Sequence, residues 1–173
     1  MDMKDIVKYH ELTKECEEMI KACGFDVPYI HYSLSPTKGS WLGRCIIQRN
    51  YFSDDDITIK LSARYFEAYL KTGQIEKIKD TILHEICHAL PNGAGHGYQW
   101  KRYADVVNRK YGYDIKRLAE TDETIKTEKL KTAKYMFVCE SCGQIIIRQR
   151  ESNFTKRYQL YHCGKCKGSF KKV

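Results

Sequence analysis

His84 and His88 are four residues apart in the pentapeptide HEICH, with Glu85 directly after the first histidine. Apolar residues at helical spacing surround them, namely Ile78, Ile82, Ile86, Ala89 and Leu90. On an α-helix, residues four apart lie on one face, so both imidazoles can reach a single ion while the carboxylate lies beside a metal-bound water. The pattern therefore predicts a catalytic zinc site on a helix, with Glu85 as the general base.

A buried helix whose histidines bond only to backbone or water is the alternative. It is disfavoured because two histidines and a glutamate on a core-facing turn are costly to desolvate without partners. Catalytic zinc normally takes three protein ligands. His96 is the best third candidate, because a glycine-containing loop follows His88 and can fold the chain back. The competing ligands are two carboxylates, Glu120 and Glu123, in a polar stretch further along.

Four cysteines near the end of the chain form two pairs, Cys139-x2-Cys142 and Cys163-x2-Cys166, separated by 20 residues. This spacing is typical of a four-cysteine zinc ribbon, so we expect a second, structural zinc ion. Two disulfides are the alternative, which a reducing compartment disfavours.

Positive charge is concentrated in the same region. Residues 1–128 contain 19 Lys+Arg and 20 Asp+Glu, whereas residues 129–173 contain 11 and 2. This balance predicts a polyanionic partner, and we expect a nucleic acid. The candidate contacts are basic residues interleaved with Phe154, Tyr158 and Tyr161, namely Arg148, Arg150, Lys156, Arg157, Lys165 and Lys167. Alternatively, the charges form a solvated face and the aromatic rings fill a small core.

Hydropathy patterns predict an α+β fold. An opening helix spans about 4–23, β-like runs cover 29–34, 41–49 and 56–61, and helices cover about 63–73, 74–90 and 98–110, the first of these three capped by Ser62. We expect helices packed on a small antiparallel or mixed sheet over residues 1–118. A polar linker or solvated helix follows at 119–134, and a β zinc ribbon at 135–173.

The length of 173 residues allows one domain with a hydrophobic core and a small accessory module. No stretch approaches the roughly 20 apolar residues of a membrane span, and the first residues are too polar for a signal peptide. We therefore expect no membrane association and a cytoplasmic location.

The run HEICHALPNGAGHGYQWKRYA, preceded by WLGRC and ITIKLSARYF, resembles the SprT-like zinc metallopeptidases, a family that includes Spartan, the protease of DNA–protein crosslinks. The likeness spans roughly residues 5–115, and many members also end in a zinc ribbon. It implies a zincin-like domain in which His84, His88 and His96 hold the zinc. The insertion between the second and third ligands is shorter here than in longer members, which affects the expected shape of the cleft.

This resemblance implies an endopeptidase that acts on DNA-associated or DNA-crosslinked proteins near DNA or the nucleoid. In such an enzyme Glu85 accepts a proton from the zinc-bound water and later protonates the leaving amine. Tyr98 is a conceivable oxyanion partner, but an aromatic at this spacing is more often packing. Two other interpretations stay open: a non-catalytic zinc-containing DNA-binding or adaptor protein, and a peptidase whose ribbon docks a protein.

Overall fold

Residues 3–36, 41–51, 53–118 and 122–173 are described by the computed structural model of the protein. They form two units, Met1–Thr124 and Ile125–Val173. Helices and small sheets occur in both, so the fold is of the α+β class, as predicted. In the described ranges, no helix is long and apolar enough to cross a membrane.

The first unit begins with helix α1 (Met3–Ala22), close to the predicted span. Its apolar face is buried at every third or fourth position, at Tyr9, Leu12, Cys16 and Ile20. Gly24 follows with a positive φ of 83°, and the N–H of Phe25 bonds back to the carbonyl of Ile20 at 3.4 Å. A left-handed glycine at this point ends the helix and turns the chain towards the sheet.

Three strands form a mixed sheet: β1 (Ile30–Ser35), β2 (Gly43–Gln48) and β3 (Asp56–Ser62). The order is β1-β3-β2, with β1 parallel and β2 antiparallel to the central strand. Ile57, Ile59 and Leu61 of β3 are buried, as expected for a central strand. Strand β2 is therefore an edge strand, and one of its sides has no strand partner in this sheet.

Helices α2 (Ala63–Lys71), α3 (Ile75–Ala89) and α4 (Tyr98–Tyr111) complete the first unit, and their spans agree with prediction to within about two residues. Helix α3 packs against α1, α2, α4 and strands β2 and β3. Ser62 holds the N-cap position of α2 as predicted, but its side chain makes no capping bond. The Ser62 hydroxyl is instead buried, with no hydrogen-bond partner in the described part of the chain.

The second unit includes most of helix α5 (Glu123–Lys131) and a small antiparallel sheet. Its strands are β4 (Tyr135–Cys139), β5 (Ile145–Arg148) and β6 (Phe170–Lys172), in the order β5-β4-β6. Helix α6 (Asn153–Lys156) and a 3-10 turn (Tyr158–Leu160) lie between β5 and β6 in the chain. The described part of the predicted polar linker thus contains helix α5. The limits predicted for the two domains stay a prediction.

Candidate metal centres

Helix α3 places His84 and His88 one turn apart, with their ring centroids 5.0 Å from each other. The helix is held by neighbouring side chains that are completely buried: Ile82, Leu83, Ile86 and Cys87. Cys87 is therefore a small core residue. The two imidazoles lie on the remaining, partly exposed face of the helix.

A tight loop after α3 returns the chain to this face. Gly93 packs so closely on the helix end that a Cβ at this position would lie 2.1 Å from the carbonyl oxygen of Cys87. Gly95 follows with a positive φ of 75°. Both positions favour glycine for reasons of space and backbone conformation. The loop delivers His96 to the two histidines of α3.

The three imidazoles converge through their Nε2 atoms. His88 Nε2 lies 3.2 Å from His96 Nε2, and His96 Nε2 lies 3.3 Å from His84 Nε2. Bonds of 2.0–2.1 Å to a tetrahedral ion place two nitrogens about 3.3 Å apart. The residues therefore fit a tetrahedral ion with three nitrogen ligands. They form one of the two groups in the described ranges that could hold a metal ion.

Neighbouring groups keep the ligands neutral and oriented. The Nδ1–H of His88 donates to the carbonyl of Gly93 at 3.0 Å, which leaves the Nε2 lone pair free for a metal. Burial, together with the neighbouring His88 and His96, lowers the pKa of His84 to about 4. Burial also lowers the pKa values of His88 and His96. Protons thus compete weakly with a metal at neutral pH.

Glu85 is 7% exposed and packs against the edge strand β2. A Cβ at Gly43 would lie 2.8 Å from the Glu85 carboxylate oxygen Oε1, so this glycine makes room for the side chain. Burial raises the pKa of Glu85 to about 7, while a backbone hydrogen bond from Cys45 and the charge of Arg44 partly oppose the rise. A carboxylate with such a pKa can exchange protons near neutral pH.

A cleft of about 480 Å³ opens in front of these groups. It is lined by β2, the three histidines, Glu85 and the loop residues Ala94 and Gly95. Tyr98, the conceivable oxyanion partner, is 79% exposed and is not among the cleft-lining residues. An ion held by the histidines would therefore have one side open to small molecules or an extended chain.

The other candidate ligands do not join this group. Glu123 begins helix α5 and is not among the residues whose ligand atoms converge, and Glu120 lies outside the described residues. The remaining histidines are exposed: His10, His31 and His162. Trp100 was not among the residues predicted for this site, yet its ring contacts all three histidine rings. Its position four residues after His96 is the signal that could have indicated this contact.

Four cysteines of the second unit form the second group that could hold a metal ion. The Sγ atoms of Cys139 and Cys166 are 3.4 Å apart, and those of Cys142 and Cys163 are 3.7 Å apart. These distances are far from the roughly 2.05 Å of a disulfide. They approach the roughly 3.8 Å that Zn–S bonds of about 2.3 Å require in a tetrahedron. The disulfide alternative therefore does not describe this structure, in which all four thiols are free.

Backbone geometry supports the cysteine cluster. Gly143 has a positive φ of 70°, and a Cβ at Gly168 would lie 3.1 Å from the Sγ of Cys139. Backbone hydrogen bonding from Cys142 lowers the pKa of Cys139 to about 7, which favours the thiolate that binds metals. The cluster forms part of a small core, in which Phe137, Cys139, Cys163 and Phe170 are buried together.

The predicted basic contacts all lie on the surface of this unit: Arg148, Arg150, Lys156, Arg157, Lys165 and Lys167. Lys156 pairs with Glu151 at 3.2 Å, and both of these side chains are exposed. The aromatic residues divide into two kinds. Phe154 and Tyr158 pack against the core, whereas Tyr161 is 42% exposed. Of these three rings, Tyr161 is thus the one available for stacking on a base.

Comparison with known proteins places these features in a family. The SprT-like family model matches residues 9–124. A protein named Protein SprT-like from Bacillus cereus (strain B4264) is 31% identical over 149 residues, which cover 86% of each chain. A protein of the same name from Enterococcus faecalis is 33% identical over 105 residues, covering 58% of this chain and 59% of the relative.

A third relative, Protein SprT-like from Bacillus subtilis (strain 168), is 26% identical over 179 aligned positions, which cover 100% of this chain and 99% of its own. The similarity therefore extends through the cysteine-containing unit as well as the histidine-containing one. The family match covers α2, α3 and α4, the elements that surround the histidine cluster. The chain belongs to the SprT-like family.

Proposed function

We propose that the protein is a zinc-dependent endopeptidase with a zincin-like catalytic domain and a structural zinc ribbon. The observation that carries this proposal is the convergence of three Nε2 atoms beside a buried glutamate at an open cleft. Nitrogen ligands in a tetrahedral arrangement favour zinc, and three ligands leave a position for water.

Zinc, when bound, would supply a Lewis acid that activates water and polarises a peptide carbonyl. His84, His88 and His96 would hold it through neutral Nε2 atoms. Glu85 would accept the proton of the attacking water and return it to the leaving amine. The Glu85 side chain is buried against β2, where Gly43 leaves room for the carboxylate.

Glu85 also favours an enzyme over an adaptor that keeps a metal for stability alone. Burial disfavours the ionised form of this carboxylate and raises its pKa to about 7, so an ionised Glu85 weakens the fold. A structural metal site has no use for such a group. Costly buried groups are typical of active sites, where their chemistry is needed.

The second unit would direct the peptidase to DNA. Its six candidate cations are exposed, and residues 129–173 contain 11 Lys+Arg against 2 Asp+Glu. Exposed cations can neutralise phosphates without reading sequence. We therefore propose DNA-associated or DNA-crosslinked proteins as substrates, in the cytoplasm at the nucleoid. If the ribbon instead docks another protein, we expect no salt-sensitive affinity for DNA.

The experiment is to incubate the purified chain with a DNA-binding protein, alone and with single- or double-stranded DNA. Fragments that form faster with DNA, and that disappear in Glu85→Gln, are the expected result. A chain with residues 129–173 deleted is the matched control, because it retains the histidine cluster. Equal stimulation of both chains by DNA would contradict the targeting role, and cleavage by neither would contradict the peptidase itself.

A further inference from the structure

Trp100 lies in the first turn of α4 and is 3% exposed. Its ring centroid is 4.9 Å from that of His84 and 4.6 Å from that of His96, with both pairs in edge contact. The ring of His88 stacks on it at 5.5 Å, with an interplanar angle of 30°. One buried side chain therefore touches every imidazole of the cluster.

The three imidazoles come from two different elements. His84 and His88 share α3 and keep a fixed spacing, but His96 comes from a loop. The position of His96 relative to the other two histidines is consequently set by packing. The Trp100 ring contacts His96 as well as both histidines of α3. Its indole N–H also points to the carbonyl oxygen of His84, with an N···O distance of 3.4 Å. The indole thus joins the beginning of α4 to the ligand-bearing turn of α3.

We propose that Trp100 is a positioning residue, which holds the three histidine rings in the geometry that a tetrahedral ion requires. It does not touch the reacting atoms. Groups that orient metal ligands typically change metal affinity by 10- to 100-fold when they are altered. This inference rests on the proposed metal site, although not on the proposed peptidase activity.

The test measures metal binding by the full chain, with Co²⁺ as the probe. A mild chelator removes the metal from the histidines while the cysteine cluster keeps its zinc, and Co²⁺ then refills the vacated site. Affinity comes from competition with a chromophoric chelator, and ligand geometry comes from the visible absorption bands of the bound Co²⁺. The cysteine cluster of the same chain serves as an internal control.

Two variants separate ring contact from hydrogen bonding. Trp100→Leu keeps a buried apolar side chain but removes the ring, and we expect Co²⁺ affinity to fall by about 10- to 100-fold, with shifted bands. Trp100→Phe keeps a ring and removes the N–H, so we expect a loss of less than about tenfold. Val107→Ala is the matched control, because Val107 is fully buried on the same helix two turns further on. It should destabilise the unit without changing the bands.

A second measurement uses the fluorescence of the Trp100 indole. The chain contains two tryptophans, so Trp41→Phe leaves the emission of Trp100 alone. Co²⁺ at the histidines should quench this emission strongly, because the indole contacts every ligand ring. If Trp100→Leu fails to fold, Trp100→Met, which keeps a longer apolar side chain without a ring, decides in its place by the same affinity and bands.

Unchanged affinity and unchanged bands in a folded Trp100 variant without a ring would overturn the inference and leave Trp100 as an ordinary core residue. A loss no larger than that of Val107→Ala, again with unchanged bands, would do the same. If the wild-type chain bound no Co²⁺ at the histidines, the proposed metal site would itself be wrong.

Discussion

The histidine cluster and the cysteine cluster differ in the number of ligands and in what surrounds them. The histidines supply three ligands at a cleft of about 480 Å³. The cysteines supply four ligands that approach a closed tetrahedron. An ion with three protein ligands keeps a reactive position, whereas an ion with four has none. These differences support the proposal that the histidine cluster performs chemistry and the cysteine cluster maintains a fold.

The cores around the two clusters differ in how far they depend on a metal. Helix α3 is held by many buried residues from α1, the sheet and α4, so the first unit has a core independent of any metal. In the second unit, two of the four residues in the buried cluster beside the strands are the candidate ligands Cys139 and Cys163 themselves. Small domains with so little apolar core usually need a metal to fold.

The largest expected difference comes from removing one ligand in each cluster. Cys163→Ser should unfold the second unit, because structural zinc supplies on the order of 10 kcal/mol of folding free energy in small domains. His96→Ala should release the histidine-bound metal while the first unit stays folded. Metal analysis and nuclear magnetic resonance spectra of each variant measure both effects. A folded second unit in Cys163→Ser would remove this contrast between the clusters.

The charges of the two units provide the next difference. If about six phosphates are contacted by the second unit, affinity for DNA should fall about a thousandfold between roughly 50 and 200 mM salt. Anisotropy of a labelled oligonucleotide measures this slope. Replacing the six candidate cations by glutamine should remove most of it. Salt-independent binding would instead favour a protein partner for the ribbon.

Gly43→Ala tests how tightly the edge strand positions Glu85. The added Cβ would lie 2.8 Å from the carboxylate and 2.9 Å from Thr81, so the glutamate must move. A displacement of about 1 Å can lower the rate about a hundredfold, and we expect a loss of this order in kcat. Gly97→Ala is the control, because a Cβ there meets nothing within 4 Å. Equal rates in the two variants would show that β2 does not position the base.

Glu85 should also destabilise the metal-free protein at neutral and higher pH. Its pKa is raised from 4.5 to about 7, so the folded chain binds this proton more tightly than the unfolded chain does. The resulting stability is present below about pH 4.5 and is lost as pH rises to about 7. Glu85→Gln should therefore be more stable by about 3 kcal/mol at pH 8 and similar to wild type at pH 4.

Urea denaturation followed by tryptophan fluorescence measures this difference, since both tryptophans, Trp41 and Trp100, belong to the first unit. Equal stability of the two proteins at pH 8 would contradict the raised pKa. The cysteine cluster has no buried carboxylate of this kind, so the effect sharpens the contrast between a reactive site and a structural one.

Local patterns in the sequence predicted much of this molecule. Helical periodicity around His84 and His88 gave α3 to within one residue at each end, and glycine-rich spacing identified His96 as the histidine that joins them. Both signals depend on neighbours along the chain. The same holds for the two cysteine pairs, which lie at the ends of short strands and turns.

Features that depend on distant packing were not predicted. The order β1-β3-β2, with one parallel pair, arises from contacts between separate segments and leaves no local periodicity. The close approach of Gly43 to Glu85 and the contact of Trp100 with all three histidines have the same origin. Ser62 illustrates the opposite case: it stands at the predicted cap position, yet its buried hydroxyl makes no bond to the helix N–H groups.

The most direct test is to compare metal content and peptide cleavage in wild type and Glu85→Gln. The substitution removes the base and leaves every ligand in place, so we predict two zinc ions per chain in both proteins. Cleavage of an unfolded protein substrate should fall by about a thousandfold or more in the variant. Undiminished cleavage by Glu85→Gln with full metal content would contradict the assignment of Glu85 as the base of a zinc peptidase.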